Sequence, residues 1–228
     1  MRHKGKAGQA AGRIILWTLV GMLVLLGAGV TAVVIGSAIT LAASVMFALW
    51  IVLAGFTLFF FRDPDPAVPG APGAILSPAH GRVDVVDEID ETEFLGGRCR
   101  RISMFMSPLD VHVQKAPLSA RVVYVRHHPG VFLAATQLES AARNENVMIG
   151  LESVEHPGLR IGVRLVAGVL ARRIVPWIQE GETVARGERI SLIQFGSRCE
   201  VYLPLNLPLE VKLGDRVRGG ESIVAHRI

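Results

Sequence analysis

The sequence predicts a β-rich α+β domain carried behind an N-terminal two-helix transmembrane hairpin. Three observations predict it. No Lys, Arg, Asp or Glu occurs from Ile14 to Phe61; short β-branched segments bounded by Gly, Pro or Asp follow; and a Gly-rich unit occurs twice near the C-terminus.

The uncharged run comes first. As one straight helix it would reach roughly 70 Å at ~1.5 Å per residue, against a hydrocarbon core of about 30 Å, so it holds two spans rather than one. They are expected at Ile14–Ile35 and Ala38–Phe61, with Gly36 and Ser37 as the turn and Trp17, Trp50 and Phe59–Phe61 as interfacial anchors. The run is several times longer than a signal-peptide core. A hairpin returns the chain to its starting side. Arg2, Lys4, Lys6 and Arg13 precede the run, so the basic N-terminus and everything after residue 61 are expected on the cytoplasmic side of the inner membrane. A single span followed by a buried core helix is the competing reading, and it would put the domain outside. With no charge in the run, it reads as an anchor and not as a transport path.

The same four residues account for the net charge of +4, because the remaining Lys and Arg equal the Asp and Glu in number. The globular part is neutral, which removes a nucleic-acid partner. Cys99 and Cys199, with no CxxC and no His-rich spacing around them, form neither a disulfide framework nor a zinc knuckle.

Residues 62–74 (RDPDPAVPGAPGA) read as a stiff Pro-rich linker, which divides the chain into an anchor (1–61), the linker and a domain (75–228). Strands are expected at Arg82–Val86, Ile102–Met106, Arg121–Val125 and Arg160–Val166, and one helix at Val131–Arg143. The repeat pairs IQEGETVARGERI (178–190) with VKLGDRVRGGESI (211–223). Gly181/Gly214, Val184/Val217, Gly187/Gly220, Glu188/Glu221 and Ile190/Ile223 match identically. A Gly-acid-x-Val-x-x-Gly-Glu unit is a strand–turn–strand device, and two copies resemble the quasi-symmetric hairpins of lipoyl- or biotinyl-type β-sandwiches.

The copies bracket SLIQFGSRCEVYLP (191–204), in which Gly196-Ser197 should interrupt or join two strands. With SPLDVHVQKAP at 107–117, SPAHGRV at 77–83, HHPGVFL at 127–133 and FFRDPDP after the anchor, this segment resembles the short bacterial and archaeal subfamily of phosphatidylserine decarboxylase proenzymes. The resemblance runs from about Phe59 to the C-terminus.

It implies a self-processing enzyme cut at Gly196–Ser197 into a β chain (1–196) and an α chain (197–228), with Ser197 converted to an N-terminal pyruvoyl group. A serine hydroxyl can attack the preceding carbonyl and turn an amide into an ester, and a glycine leaves that carbonyl open. The pyruvoyl group would form a Schiff base with the substrate amine and act as electron sink, the role PLP plays elsewhere, so neither PLP nor a metal is needed. The partner implied is phosphatidylserine in the membrane, converted to phosphatidylethanolamine and CO₂. The oligomeric state stays open.

Of the candidate acid–base groups, His112 matches the histidine that the family carries in this motif, and imidazole exchanges protons at cellular pH. His80 and Lys115 are departures. The family writes Pro-Ala-Asp-Gly where this chain has Pro78-Ala79-His80-Gly81, and longer relatives have a second histidine at the place of Lys115. Three readings stay open: His80 is itself the processing base, His112 serves both steps, or this chain processes poorly. Lys115, His128 and Arg198 are candidates for substrate contacts, with Arg172 and Arg173 as further phosphate partners. Two other function classes compete. A non-catalytic, membrane-tethered lipoyl-like adaptor would need a lysine at a hairpin tip, where Gly196-Ser197 stands instead. A lysostaphin-type zinc endopeptidase could use His80 and Asp84 but would need a His-x-His strand, and the sequence has none.

Overall fold

The computed structural model describes residues 5–32, 37–131, 143–168, 173–194 and 197–227. They form two compact units that divide between Asp63 and Pro64. The expected helix at Val131–Arg143 lies almost wholly outside the described residues, as do Gly36, Arg172 and Gly196.

The first unit is a pair of helices, α1 (Lys6–Ala32) and α2 (Ser37–Phe60). Both are long and apolar enough to cross a membrane. Helix α1 starts earlier than the uncharged run, and Ser37, expected in the turn, is already the first residue of α2. Their outward surfaces are apolar, with Trp17, Val24 and Val52 each about 70% exposed, as suits a lipid solvent. The hydroxyls bond within their own helices: Thr18 to Ile14 O (3.0 Å), Ser44 to Thr40 O (2.8 Å) and Thr57 to Leu53 O (2.8 Å). The helices approach closely at Gly29, where an added Cβ would lie 2.9 Å from that of Ala43.

The second unit contains thirteen strands among its described residues: β1 (Ala74–Leu76), β2 (Gly81–Glu91), β3 (Gly97–Met106), β4 (Val113–Lys115), β5 (Ala120–His128), β6 (Asn146–Ser153), β7 (Arg160–Ala167), β8 (Arg173–Pro176), β9 (Thr183–Val184), β10 (Arg189–Gln194), β11 (Ser197–Leu203), β12 (Arg216–Val217) and β13 (Ile223–His226). The four segments expected as strands lie inside β2, β3, β5 and β7. An eight-stranded sheet has the order β12-β2-β3-β11-β7-β6-β5-β9; β4-β10-β8 and β1-β13 form two smaller sheets. Alternation places Ile102, Met104 and Met106 of β3 with Cys199, Val201 and Leu203 of β11 in one apolar core. The opposite face of β11 carries Arg198, Glu200 and Tyr202, all at most 2% exposed. Tyr202 donates to Glu200 (2.6 Å), and burial, followed by the charge of the Glu200 carboxylate, pushes the Tyr202 hydroxyl pKa upward. Both faces of β11 are thus covered, one by hydrocarbon and one by polar pairs.

The hairpin repeat belongs to a larger twofold relation. Residues 74–83 and 113–122 play equivalent parts, which puts Pro78 with Pro117, Arg82 with Arg121 and Val83 with Val122. The two halves bond reciprocally, Leu76 N to Pro117 O (2.9 Å) and Lys115 N to Pro78 O (2.8 Å). Each half then receives its own repeat turn: Gly187 N donates to Ala116 O and Gly220 N to Ser77 O, both at 2.8 Å.

Gly187 and Gly220 have φ of +78° and +76°. The Pro-rich segment packs onto both, with Val68 Cγ2 2.4 Å and Pro66 Cβ 2.9 Å from where a Cβ would stand. Asp65 of the same segment accepts from Arg189 Nη2 (2.8 Å), a guanidinium with no exposed surface. Residues 65–68 are thereby part of the β unit and not a free tether. Gly187→Ala should cost about 1–3 kcal/mol, from the left-handed backbone plus the collision with Val68. Gly96→Ala isolates the backbone share, since Gly96 has φ +74° with open space around it. Thermal unfolding of the purified chain reads both. A Gly187→Ala midpoint no lower than that of Gly96→Ala contradicts the docked segment.

Candidate active site

Strands β3 and β11 pair antiparallel in the large sheet, and β4 and β10 pair antiparallel in the three-stranded one. Two connections therefore join the same two sheets. One is residues 107–112, from β3 to β4. The other is residues 195–196, from β10 to β11, which lie outside the described residues. Ser197 is the first residue after the second crossing. It pairs with Met106 on one side and Ala167 on the other and has no exposed surface.

Residues from three separate motifs meet at Met106. The Ser197 Oγ donates to Met106 Sδ (3.2 Å), and Gln114 Nε2 stands 3.8 Å from the same sulfur. A Cβ on Gly81 would lie 3.6 Å from Met106 Cγ and 2.5 Å from the carbonyl oxygen of Phe105, so only glycine lets the SPAHG segment cross β3 here. Gln114 is wholly buried and satisfied at both ends. Its Nε2 donates to His112 O (2.8 Å), and its Oε1 accepts from Ser191 Oγ (2.7 Å) across the β4–β10 pair. Gln114→Leu leaves the Ser191 hydroxyl and the His112 carbonyl each one bond poorer in a dry site, an expected loss of about 1–3 kcal/mol. Adding Ser191→Ala should recover part of it, measured as a double-mutant cycle in thermal unfolding. Strict additivity of the two changes contradicts the pairing.

His112 has no exposed surface either. Its carbonyl also accepts from Ile193 N (3.1 Å), which ties the 107–112 crossing to β10 just before the second crossing begins. Its Nδ1 lies 2.9 Å from Asp110 O. A carbonyl only accepts, so Nδ1 carries the hydrogen, and Nε2 is the basic nitrogen of the neutral ring. Asp110 in turn is fixed by Ser107, whose N and Oγ both donate to Oδ2 at 2.8 Å. Loop, ring tautomer and strand pairing thus form one chain of bonds.

His80 and Lys115, the two departures from the family pattern, meet at a single turn. His80 Cδ2 would be 3.3 Å from a Cβ on Gly219, and Lys115 Cγ 3.2 Å from one on Gly220. Lys115 is 1% exposed and pairs with Arg189 in the sheet register.

Arg198 and His128 sit elsewhere. Neighbouring strand residues point to opposite faces, so Arg198 is directed away from the Ser197 side chain. It binds Asp84 bidentately (2.8 and 2.7 Å) and also donates to Ser103 Oγ (2.6 Å). Asp84, half of the His-x-x-x-Asp spacing, is engaged by this pair, and among the described residues no group of three or more His, Cys, Asp or Glu side chains could hold a metal. His128 bonds Glu93 (2.6 Å) at the end of β5, three strands from β11 and roughly 14 Å away along the sheet at ~4.8 Å per strand. Arg173 is an exposed residue at the start of β8.

Met106, Gln114 and Ser191 were not legible as site residues, since each enters through strand pairing over long separations. Asn144 is another such residue. Buried to 1%, it donates to Ala167 O (2.7 Å), on the residue that pairs with Ser197.

Comparison with known proteins agrees with the motifs. The family model described as phosphatidylserine decarboxylase matches residues 53–225. A phosphatidylserine decarboxylase proenzyme of Desulfotalea psychrophila is 40% identical over 180 residues, covering 79% of this chain and 83% of the relative. Proenzymes of the same description from Symbiobacterium thermophilum (42% over 196 residues, 83% and 90% covered) and Pelobacter propionicus (44% over 188 residues, 82% and 83% covered) are similarly close.

Proposed function

The chain belongs to the phosphatidylserine decarboxylase family, a family of carboxy-lyases made as proenzymes, and on that premise we propose that it cuts itself between Gly196 and Ser197 and decarboxylates phosphatidylserine with the group that Ser197 becomes. The observation that carries this reading is the place of Ser197. It stands at the first position of a strand paired on both sides, directly after the chain crosses between sheets, with its hydroxyl turned into a dry site.

In the cut, Ser197 Oγ bonds to the Gly196 carbonyl carbon, the C–N bond breaks, and the hydroxyl proton ends on the freed nitrogen. Removal of the proton on Ser197 Cα then breaks the Cβ–O bond, releases the Gly196 carboxylate and leaves dehydroalanine. Water converts this to a pyruvoyl group and ammonia. Met106 Sδ accepts the Ser197 hydrogen bond weakly, so the hydroxyl is held in place without losing its nucleophilicity. Pairing to Met106 and Ala167 fixes residue 197 after the cut as before it, which keeps the new group in register.

The residues present fit a pyruvoyl group. Position 197 becomes a chain end at the first residue of a strand that is paired on both sides, which holds the new group in a dry site. That group supplies an electron sink for the charge left on the substrate carbon when CO₂ departs. His112 Nε2, left as the basic nitrogen by the Nδ1 bond to Asp110 O, is the group we assign to taking a proton from the substrate ammonium and returning it to that carbon. Anchoring by two helices keeps enzyme, substrate and product in one bilayer and raises the local lipid concentration. The basic residues ahead of the uncharged run support a catalytic unit on the cytoplasmic face of the inner membrane.

The test is release of labelled CO₂ from carboxyl-labelled phosphatidylserine by the purified full chain in mixed micelles, without added PLP. Matching amounts of phosphatidylethanolamine are expected. Cut chain that releases none overturns the reading.

A further inference from the structure

The two repeat turns are built alike and end differently. In the first, Gly181 N donates to Val122 O and Val122 N to Glu182 O; in the second, Gly214 N donates to Val83 O and Val83 N to Asp215 O, all at 2.8 Å. The acid also caps each tip, Glu182 on Gln179 N (3.3 Å) and Asp215 on Lys212 N (3.0 Å). The backbone therefore asks for the same residues in both copies. Arg82 corresponds to Arg121, and what differs is the rest of what the turns present: Gln179, Glu180 and Thr183 in the first copy, Lys212, Leu213 and Arg216 in the second.

Those substitutions change the surface from neutral to strongly cationic with an apolar tip. Arg82 and Arg216 stand directly opposite each other in the β2–β12 pair, and both are exposed. Like charges in that relation cost stability, so the fold gains nothing from them. Among the described residues neither of them, nor Lys212, makes an ion pair. Arg82 reaches the turn itself, its Nη2 3.7 Å from where a Cβ on Gly214 would be. Leu213, between Lys212 and Gly214, is 66% exposed.

Beside them is a cavity of about 370 Å³ with Phe105 and Leu213 as its apolar side chains. The one acidic residue lining it, Asp84, is already neutralised by Arg198. An apolar cleft with a cationic lip suits a ligand with an anionic head and a hydrocarbon body. The chain carries two apolar helices of membrane-crossing length, so the surface that supplies such ligands is a bilayer.

We propose that the second repeat turn is an anionic-phospholipid docking site, in which Arg82, Lys212 and Arg216 engage lipid phosphates and Leu213 enters the interface. This site is on the face of the sheet opposite the Ser197 side chain and does not depend on the decarboxylation chemistry.

The test uses the full chain in phosphatidylcholine nanodiscs with or without phosphatidylglycerol, which carries no amino acid to decarboxylate. Leu213→Cys is labelled with an environment-sensitive fluorophore. Labelling is selective because Cys99 and Cys199 are buried, and burial raises both thiol pKa values, that of Cys99 to about 11. With phosphatidylglycerol the label should shift to the blue and be quenched by brominated lipid. Adding Arg82→Gln and Arg216→Gln should weaken the apparent affinity for phosphatidylglycerol roughly thirtyfold, as expected for two lost cationic contacts. Lys212→Gln, whose backbone cap is unaffected, should weaken it less, so the outcome does not rest on one variant folding. Glu180→Cys, at the equivalent tip of the first copy, is the control and should not respond. A Leu213→Cys label that ignores phosphatidylglycerol, a response surviving all three charge removals, or an equal response at Glu180→Cys overturns the proposal.

Discussion

Ser197→Ala should leave the chain as one uncut polypeptide of 24.6 kDa and abolish CO₂ release altogether. The effect is total because one atom serves twice. In the proposed reaction the hydroxyl oxygen is the nucleophile that breaks the backbone, and its loss also removes the precursor of the electron sink. The change should be nearly silent for folding. The hydroxyl makes a bond to a thioether sulfur, a weak acceptor, and the strand pairing to Met106 and Ala167 is through the backbone. Gel mobility, intact mass and thermal unfolding check it together. An unfolded Ser197→Ala protein would say nothing about chemistry, but a folded, uncut and fully active one contradicts the account. Ser197→Cys keeps a nucleophile in the same place and should cut slowly, which separates the loss of the atom from any loss of shape.

His112→Ala has the second largest expected effect. Decarboxylation should fall by about 10²–10⁴-fold when the rate is normalised to the amount of cut chain, the usual range for losing a positioned acid–base group. The normalisation matters because His112 O also helps hold the crossing against β10, through Ile193 N and Gln114 Nε2. Those bonds are to the backbone carbonyl and survive the substitution. His112→Gln provides the comparison, restoring a side-chain donor for Asp110 O without a basic nitrogen. It should recover stability and leave the rate low. A normal rate per cut chain in either variant removes His112 from the reaction.

Much of the architecture could be read from the sequence because its signals are local. A stretch without charge longer than one span predicts two helices, and the β-branched segments at 82–86, 102–106, 121–125 and 160–166 fall inside real strands. The 178–190 and 211–223 repeat was visible because five identities at fixed spacing survive, each glycine required by a left-handed backbone or a packed neighbour. The companion repeat of 74–83 with 113–122 was not, since it rests on reciprocal backbone bonds that any residue can make and keeps only the identities Pro78/Pro117, Arg82/Arg121 and Val83/Val122.

The site divides in the same way. Ser197 and His112 stand in motifs that can be seen in one dimension. Met106, Gln114 and Ser191 acquire their roles from pairing between strands distant in sequence, as in the Ser191–Gln114 contact over 77 residues. Arg198 shows where adjacency misleads. Its place beside Ser197 suggested a substrate contact, but the strand period of two turns it to the other face, where Asp84 and Ser103 hold it.

The decisive measurement is the mass of the purified, active protein. The account predicts two polypeptides divided at residue 197, the smaller beginning with a blocked keto group and refusing N-terminal sequencing. An active preparation in which residues 196 and 197 remain joined, with an intact serine in place, would contradict it.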